Sequence, residues 1–178
     1  MQFVDALDAW IKVEHELGKL FYVLLKPVDF SLSQSIFRGI NGFQAQREVV
    51  RTVAQDRIID AAVFNIIDAL IERGRGLATK RNNLVHGRWR PFNLGEAPER
   101  RDLLARVYFP PNMRSFTQPG TTAYSLKGKH IFFADDLKRC EAEFLALAGD
   151  LRKSQVDAAR ALGVSPAIEL TDEDFVEP

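Results

Sequence analysis

Residues 80–90 read KRNNLVHGRWR, and three of them could act on one phosphodiester. Arg81 carries a permanent planar cation whose forked N–H donors match phosphate oxygens. His86 can take and return a proton near neutral pH, and Asn82 adds an amide able to orient a sugar or phosphate. On an ideal helix Arg81 and His86 lie about 140° apart around the axis and about 7.5 Å apart along it, with Asn82 between them at about 100°, so all three can face one cleft. These groups suit RNA cleavage by internal attack, in which a 2′-hydroxyl displaces the 5′-oxygen of its neighbouring phosphodiester. His86 would move the protons, Arg81 would stabilise charge on the phosphorane-like transition state, and Asn82 would hold the phosphate or sugar. The products would be a 2′,3′-cyclic phosphate and a 5′-hydroxyl. The route needs no metal, and the chain has three histidines and one cysteine without ligand spacing, so no metal site and no cofactor are expected.

The elements that must position these groups are helical. Phe3, Leu7, Trp10, Leu17, Phe21 and Leu24 form the stripe of a first amphipathic helix ending at Pro27, and Glu14 interrupts that stripe. A second helix is expected from Ser31 or Ser33 to about Gln55, with Gly39 and Gly42 bending it or permitting a close contact. The third, 58–86, is the longest, with Val63, Ile66, Ile67, Leu70, Leu77 and Leu84 as its apolar stripe. The same stripe contains Gly74, where another backbone could approach, and Arg81. An arginine in an apolar stripe needs a partner, since an unpaired buried charge is too costly, and Glu14 is the obvious one.

Beyond Gly87, PFNLGEAP reads as a loop and 103–109 as a strand halted by Pro110 and Pro111. A hairpin is expected from Thr121–Leu126 and His130–Phe133. Asp135 or Asp136 then caps a last helix carrying Leu137, Phe144, Leu147 and Leu151 and ending near Gly163. The expectation is a mainly α, up-and-down bundle of four to five helices in a single domain over 1–178. A small antiparallel hairpin or sheet is inserted at about 89–134, and an acidic tail at about 166–178 is expected to be mobile.

Composition narrows the function classes. Apolar residues make up 46% and charged residues 27% of 178, which suits one folded globular domain. The single Cys140 excludes an internal disulfide framework and a multi-cysteine metal centre and suits a reducing compartment, with a packing role for Cys140 itself. No apolar run approaches the roughly 18 residues of a membrane span, and MQFVDALDAW lacks a basic leader, so a cytoplasmic location is expected. The zero net charge conceals an asymmetry. Residues 73–90 hold Arg73, Arg75, Lys80, Arg81, Arg88 and Arg90 with no acid, while Glu169, Asp172, Glu173, Asp174 and Glu177 crowd the tail. This pattern fits either a basic surface for a polyanion or a solvated helix end with charges that suit its dipole.

An arginine followed by a polar residue, then four to six residues and a histidine near the end of a long helix, resembles the signature of HEPN proteins; RNNLVH matches at Arg81, Asn82 and His86. The resemblance covers the helical part, about 1–88 and the last helix. It implies an up-and-down bundle, a two-fold homodimer whose paired motifs share one cleft, and a metal-independent endoribonuclease in toxin–antitoxin, phage-defence or RNA-processing systems. Some toxins of this family carry a tyrosine two residues after the histidine, the acceptor of a nucleotidyl modification by an antitoxin. Here Arg88 occupies that position, so that route of neutralisation is not expected, although an antitoxin of another kind is a possible partner.

Lys80, Arg75, Arg88, Trp89 and Arg90 are the expected RNA contacts, Trp89 stacking a base between two cations. Each assignment has a plainer alternative. Arg81 could be only a packing ion pair with Glu14, His86 a helix-end group bonding terminal carbonyls, Asn82 ordinary surface, and Trp89 a plug at the base of the bundle. The rival function is a non-catalytic HEPN-like module that binds RNA or a protein.

Overall fold

The computed structural model describes residues 2–26, 30–94, 101–107 and 131–164. Five helices carry the fold: α1 Gln2–Leu25, α2 Phe30–Gly39, α3 Phe43–Arg57, α4 Ala61–His86 and α5 Ala134–Ala161. Between α4 and α5 lie β1 Arg88–Leu94, β2 Arg101–Val107 and β3 Ile131–Phe132, an antiparallel sheet in the order β1-β2-β3. The protein is therefore a mainly α bundle with a small sheet before its last helix.

Side-chain pairings fix the helix directions. Arg47 with Glu72 and Arg51 with Asp68 set α3 antiparallel to α4. Arg73 with Asp150 and Lys80 with Glu143 set α4 antiparallel to α5. Trp10 against Phe144 and Glu16 against Arg152 set α5 parallel to α1. Trp10, Leu17, Leu20, Leu24, Ile67, Ile71, Leu84, Phe144 and Leu147 are among the fully buried side chains where these faces meet.

The expected second helix is in fact two. The chain breaks between Gly39 and Phe43, where Gly42 takes φ +82°, a left-handed conformation that a side chain resists. Phe37 packs on Phe21 of α1, and Phe43 then packs on Trp10 nearer its start, so α2 descends and α3 climbs back. Asn41–Gly42 is the turn signal that marks this reversal.

The long helix ends at His86 as its pattern requires, but it starts at Ala61, capped by the Asp60 carboxylate, which accepts from the N–H groups of Ala62 and Val63 at 2.8 and 3.4 Å. Ile66 is half exposed, and Ile71 takes its place in the core. At Gly74 a side chain approaches instead of a backbone: an added Cβ would stand 3.2 Å from the Phe43 ring.

PFNL, expected as a loop, lies in β1, where the backbone pairs along its whole length with β2. Pro91 is tolerated because β1 is an edge strand, where a missing N–H can face away from the ladder. Phe133, not an aspartate, is the N-cap of α5, and Asp136 reaches back to accept from its N–H at 3.0 Å. Gly163, at φ +63°, follows the end of α5 as expected. The expected strand Thr121–Leu126, His130 and the acidic tail lie outside the described residues.

Candidate functional site

Arg81 is open because α3 begins too late to cover it. Phe43, at the start of α3, already stands opposite Gly74, so the last three turns of α4 run on without α3 beside them. The corner between α2 and α3 overhangs the near part of that stretch. Together they leave a cleft of about 650 Å³. Trp10, Ile40 and Phe43 give it apolar walls; Arg38 from α2 and Arg75 and Arg81 from α4 reach it, and Asn41, Gln44 and Asn82 supply amides.

Within the cleft the expected pairing of Arg81 with Glu14 is present but loose. The Arg81 Nη2 to Glu14 Oε1 distance is 3.9 Å, longer than a hydrogen bond, and the side chains are 35% and 34% exposed. The same Glu14 oxygen accepts from Trp10 Nε1 at 2.5 Å, so the carboxylate is anchored by the indole. Arg81 Nη1 donates to Asn82 Oδ1 at 3.1 Å, which holds the guanidinium and the amide side by side. Arg81 is thus oriented without being consumed, and both groups line the cleft.

His86 is exposed one turn further along α4 and does not line this cleft. The α2–α3 corner lines α4 only as far as Asn82 in this cleft. The sequence spacing brings all three groups toward one side of α4, and the folded chain encloses two of them. Val85 and Trp89, on either side of His86, keep large apolar surfaces exposed.

The remaining expected contacts divide. Arg75 lines the cleft and shares Glu72, at 3.1 Å, with Arg47 and Arg51 at 3.3 and 3.7 Å. Lys80 points elsewhere, to Glu143 of α5 at 2.5 Å. Arg88 is exposed at the start of β1, and the side chain of Arg90 lies outside the described residues. Trp89 is 42% exposed and packs edge-on against Phe3, ring centroids 5.9 Å apart, so it packs while remaining partly exposed.

Arg38, Asn41 and Gln44 were not anticipated as site residues, because a continuous helix would have buried or dispersed them; the Asn41–Gly42 turn is the signal that gathers them. Other chemistry is disfavoured at the visible groups. Burial pushes the Cys140 thiol up to about 11, which leaves it protonated and inert at neutral pH. Among the described residues no cluster of histidine, cysteine and carboxylate could hold a metal ion, and no helix is long and apolar enough to cross a membrane. No protein-family model, curated protein or solved structure matches this chain.

Proposed function

We propose that the protein is a metal-independent endoribonuclease of the HEPN type, acting as a homodimer in a toxin–antitoxin or phage-defence setting. The observation that carries the reading is the open Arg81: a guanidinium in a helix stripe, 3.9 Å from the Glu14 carboxylate and facing a solvent cleft, has donors to spare for a phosphate. His86, exposed one turn away, takes the proton of the 2′-hydroxyl as its oxygen bonds to phosphorus. The proton returns to the 5′-oxygen as that P–O bond breaks. Arg81 and Asn82 stabilise the extra negative charge on the phosphoryl oxygens between those events. Two copies paired along the ends of α4 would cover Val85 and Trp89 and bring a second Arg–His pair to the same RNA.

The test is cleavage of mixed RNA in the presence of a chelator. Arg81→Ala and His86→Ala should each lower the rate about 10²-fold or more while the fold is retained, and the new ends should be 2′,3′-cyclic phosphates. Uncut RNA, or an unchanged rate in His86→Ala, refutes catalysis at this motif. The Glu14–Arg81 contact favours one rival, a non-catalytic binding module, in which RNA is bound with a steep salt dependence and left intact.

A further inference from the structure

The cleft extends from Arg81 away from His86, and its lining differs along its length. Along α4 the lining runs from Arg81 and Asn82 back to Arg75, about 9 Å along the helix axis, with Phe43 standing against Gly74 at the Arg75 end; Arg38, Ile40, Asn41 and Gln44 line the cleft from the α2–α3 corner. Apolar walls, amides that both donate and accept, and guanidinium groups are what a base, its hydrogen-bonding edge and its phosphates each require. The volume of about 650 Å³ falls within the range of small-molecule sites, about 300–1,000 Å³.

Not every polar group in the lining is available. Arg47 is buried against Glu48 and Glu72 at 2.7 and 3.3 Å, and the Gln46 amide donates to the Phe37 carbonyl at 3.4 Å. Arg38 pairs with no acid among the described residues, and Arg75, 66% exposed, pairs with one oxygen of Glu72 at 3.1 Å while Arg47 and Arg51 contact the other. Asn41 and Gln44 are exposed at the corner, with no internal bond among the described residues.

We infer that this cleft seats one unpaired nucleotide beside the phosphate held by Arg81, so that the substrate is single-stranded RNA selected in part by the base read at Asn41 and Gln44. The placement of that phosphate rests on the ribonuclease reading above. A base in a duplex has its Watson–Crick edge occupied and its faces stacked, so only an unpaired one can enter. Arg38 and Arg75 then grip the phosphate on the far side of the seated base. Their contribution is ionic and independent of sequence.

The experiment uses the full chain carrying His86→Ala, so that RNA is not consumed, with labelled seven-nucleotide single strands of U, A and C and a duplex of the same length. Fluorescence anisotropy across a salt series should show the single strands bound at least tenfold more tightly than the duplex. Adding Arg38→Gln and Arg75→Gln should weaken binding about tenfold at low salt and reduce the slope of log affinity against log salt by about 0.7, the value for one single-strand phosphate no longer neutralised. Gln44→Ala should narrow the differences among the three strands. Equal affinity for duplex, or single-strand binding unaltered by the two arginine changes with helicity intact, overturns the inference. The cleavage assay separates this outcome from failure of the ribonuclease reading. An active enzyme whose cutting and binding ignore Arg38 and Arg75 loses only the nucleotide seat, whereas cleft-dependent binding without any cutting retains the seat and removes the catalysis.

Discussion

Helix α1 offers two glutamates, two residues apart, and each meets an arginine, yet the two regions are built for different ends. Glu16 faces α5 and is 3% exposed; its carboxylate accepts from Arg152 at 2.7 and 3.1 Å and from Gln155 at 2.7 Å, with Lys19 at 3.7 Å. Glu14 faces the cleft, is a third exposed, and leaves Arg81 at 3.9 Å. A buried charge survives only when its lone pairs are satisfied, and at Glu16 they are. Around Glu14 the fold stops short of that closure, because α3 begins at Phe43 and gives Arg81 no further neighbour. An ion pair that is neither buried nor tightly bonded does little for stability.

The contrast breaks or holds first on Glu16. Glu16→Ala would remove the buried carboxylate that lies 3.7 Å from Lys19, whose side chain is 5% exposed, and that accepts from Gln155 and Arg152. The expected loss is about 3 kcal/mol in urea unfolding, the scale for removing one partner of a buried pair. A loss below about 1 kcal/mol would mean that the enclosed cluster is no firmer than the open one.

Arg81→Ala and Glu14→Ala sharpen the comparison from the other side. Each should change stability by less than about 1 kcal/mol, because the pair is a third exposed and longer than a hydrogen bond. Arg81→Ala should nevertheless abolish RNA cleavage, so activity and stability separate at Arg81 and move together at Glu16. If Arg81→Ala unfolds the protein instead, the arginine is a packing residue.

Much of this division could be read in the sequence, and what was missed has physical causes. Arg81 and Glu14 each interrupt a three-four stripe, and complementary interruptions point to each other across a bundle. Glu16 belongs to a second stripe, Ala6, Ala9, Val13, Glu16 and Leu20, all buried. That stripe is weakened by small side chains, so the stronger one through Trp10 and Phe21 masks it, and the charge at its centre looks like ordinary surface. The helix ends at His86 and Ala161 were legible from Gly87 and Gly163, which follow them. The reversal at Gly39–Gly42 was not, because apolar periodicity continues in phase from Ile36 to Val53 on both sides of the break. Periodicity reports which face is apolar; it does not report that the chain has turned back. The wall of the cleft, with Arg38, Asn41 and Gln44, depends on that turn.

A third pair calibrates the scale between the two glutamates. Arg73 and Asp150 join α4 to α5 at 2.8 Å with side chains 39% and 40% exposed, shorter than the Glu14 contact and far more open than the Glu16 cluster. The hydrogen bond from Arg73, assisted by Lys153, holds the Asp150 carboxyl below its ordinary value of 3.8, against a smaller opposing effect of desolvation. A carboxylate whose value is lower in the folded state adds stability above its unfolded value and loses it as the pH falls through the folded one. Asp150→Asn should therefore cost a few tenths of a kcal/mol at pH 7, after screening by solvent, and the two proteins should converge as the pH drops below the ordinary carboxylate range. Urea midpoints at pH 7 and pH 3 measure this. A gap that persists undiminished at pH 3 would show that Asp150 acts through packing or its neutral hydrogen bonds. The short distance at this seam would then be no better a guide to energy than the long one at Glu14, and burial alone would separate the two faces of α1.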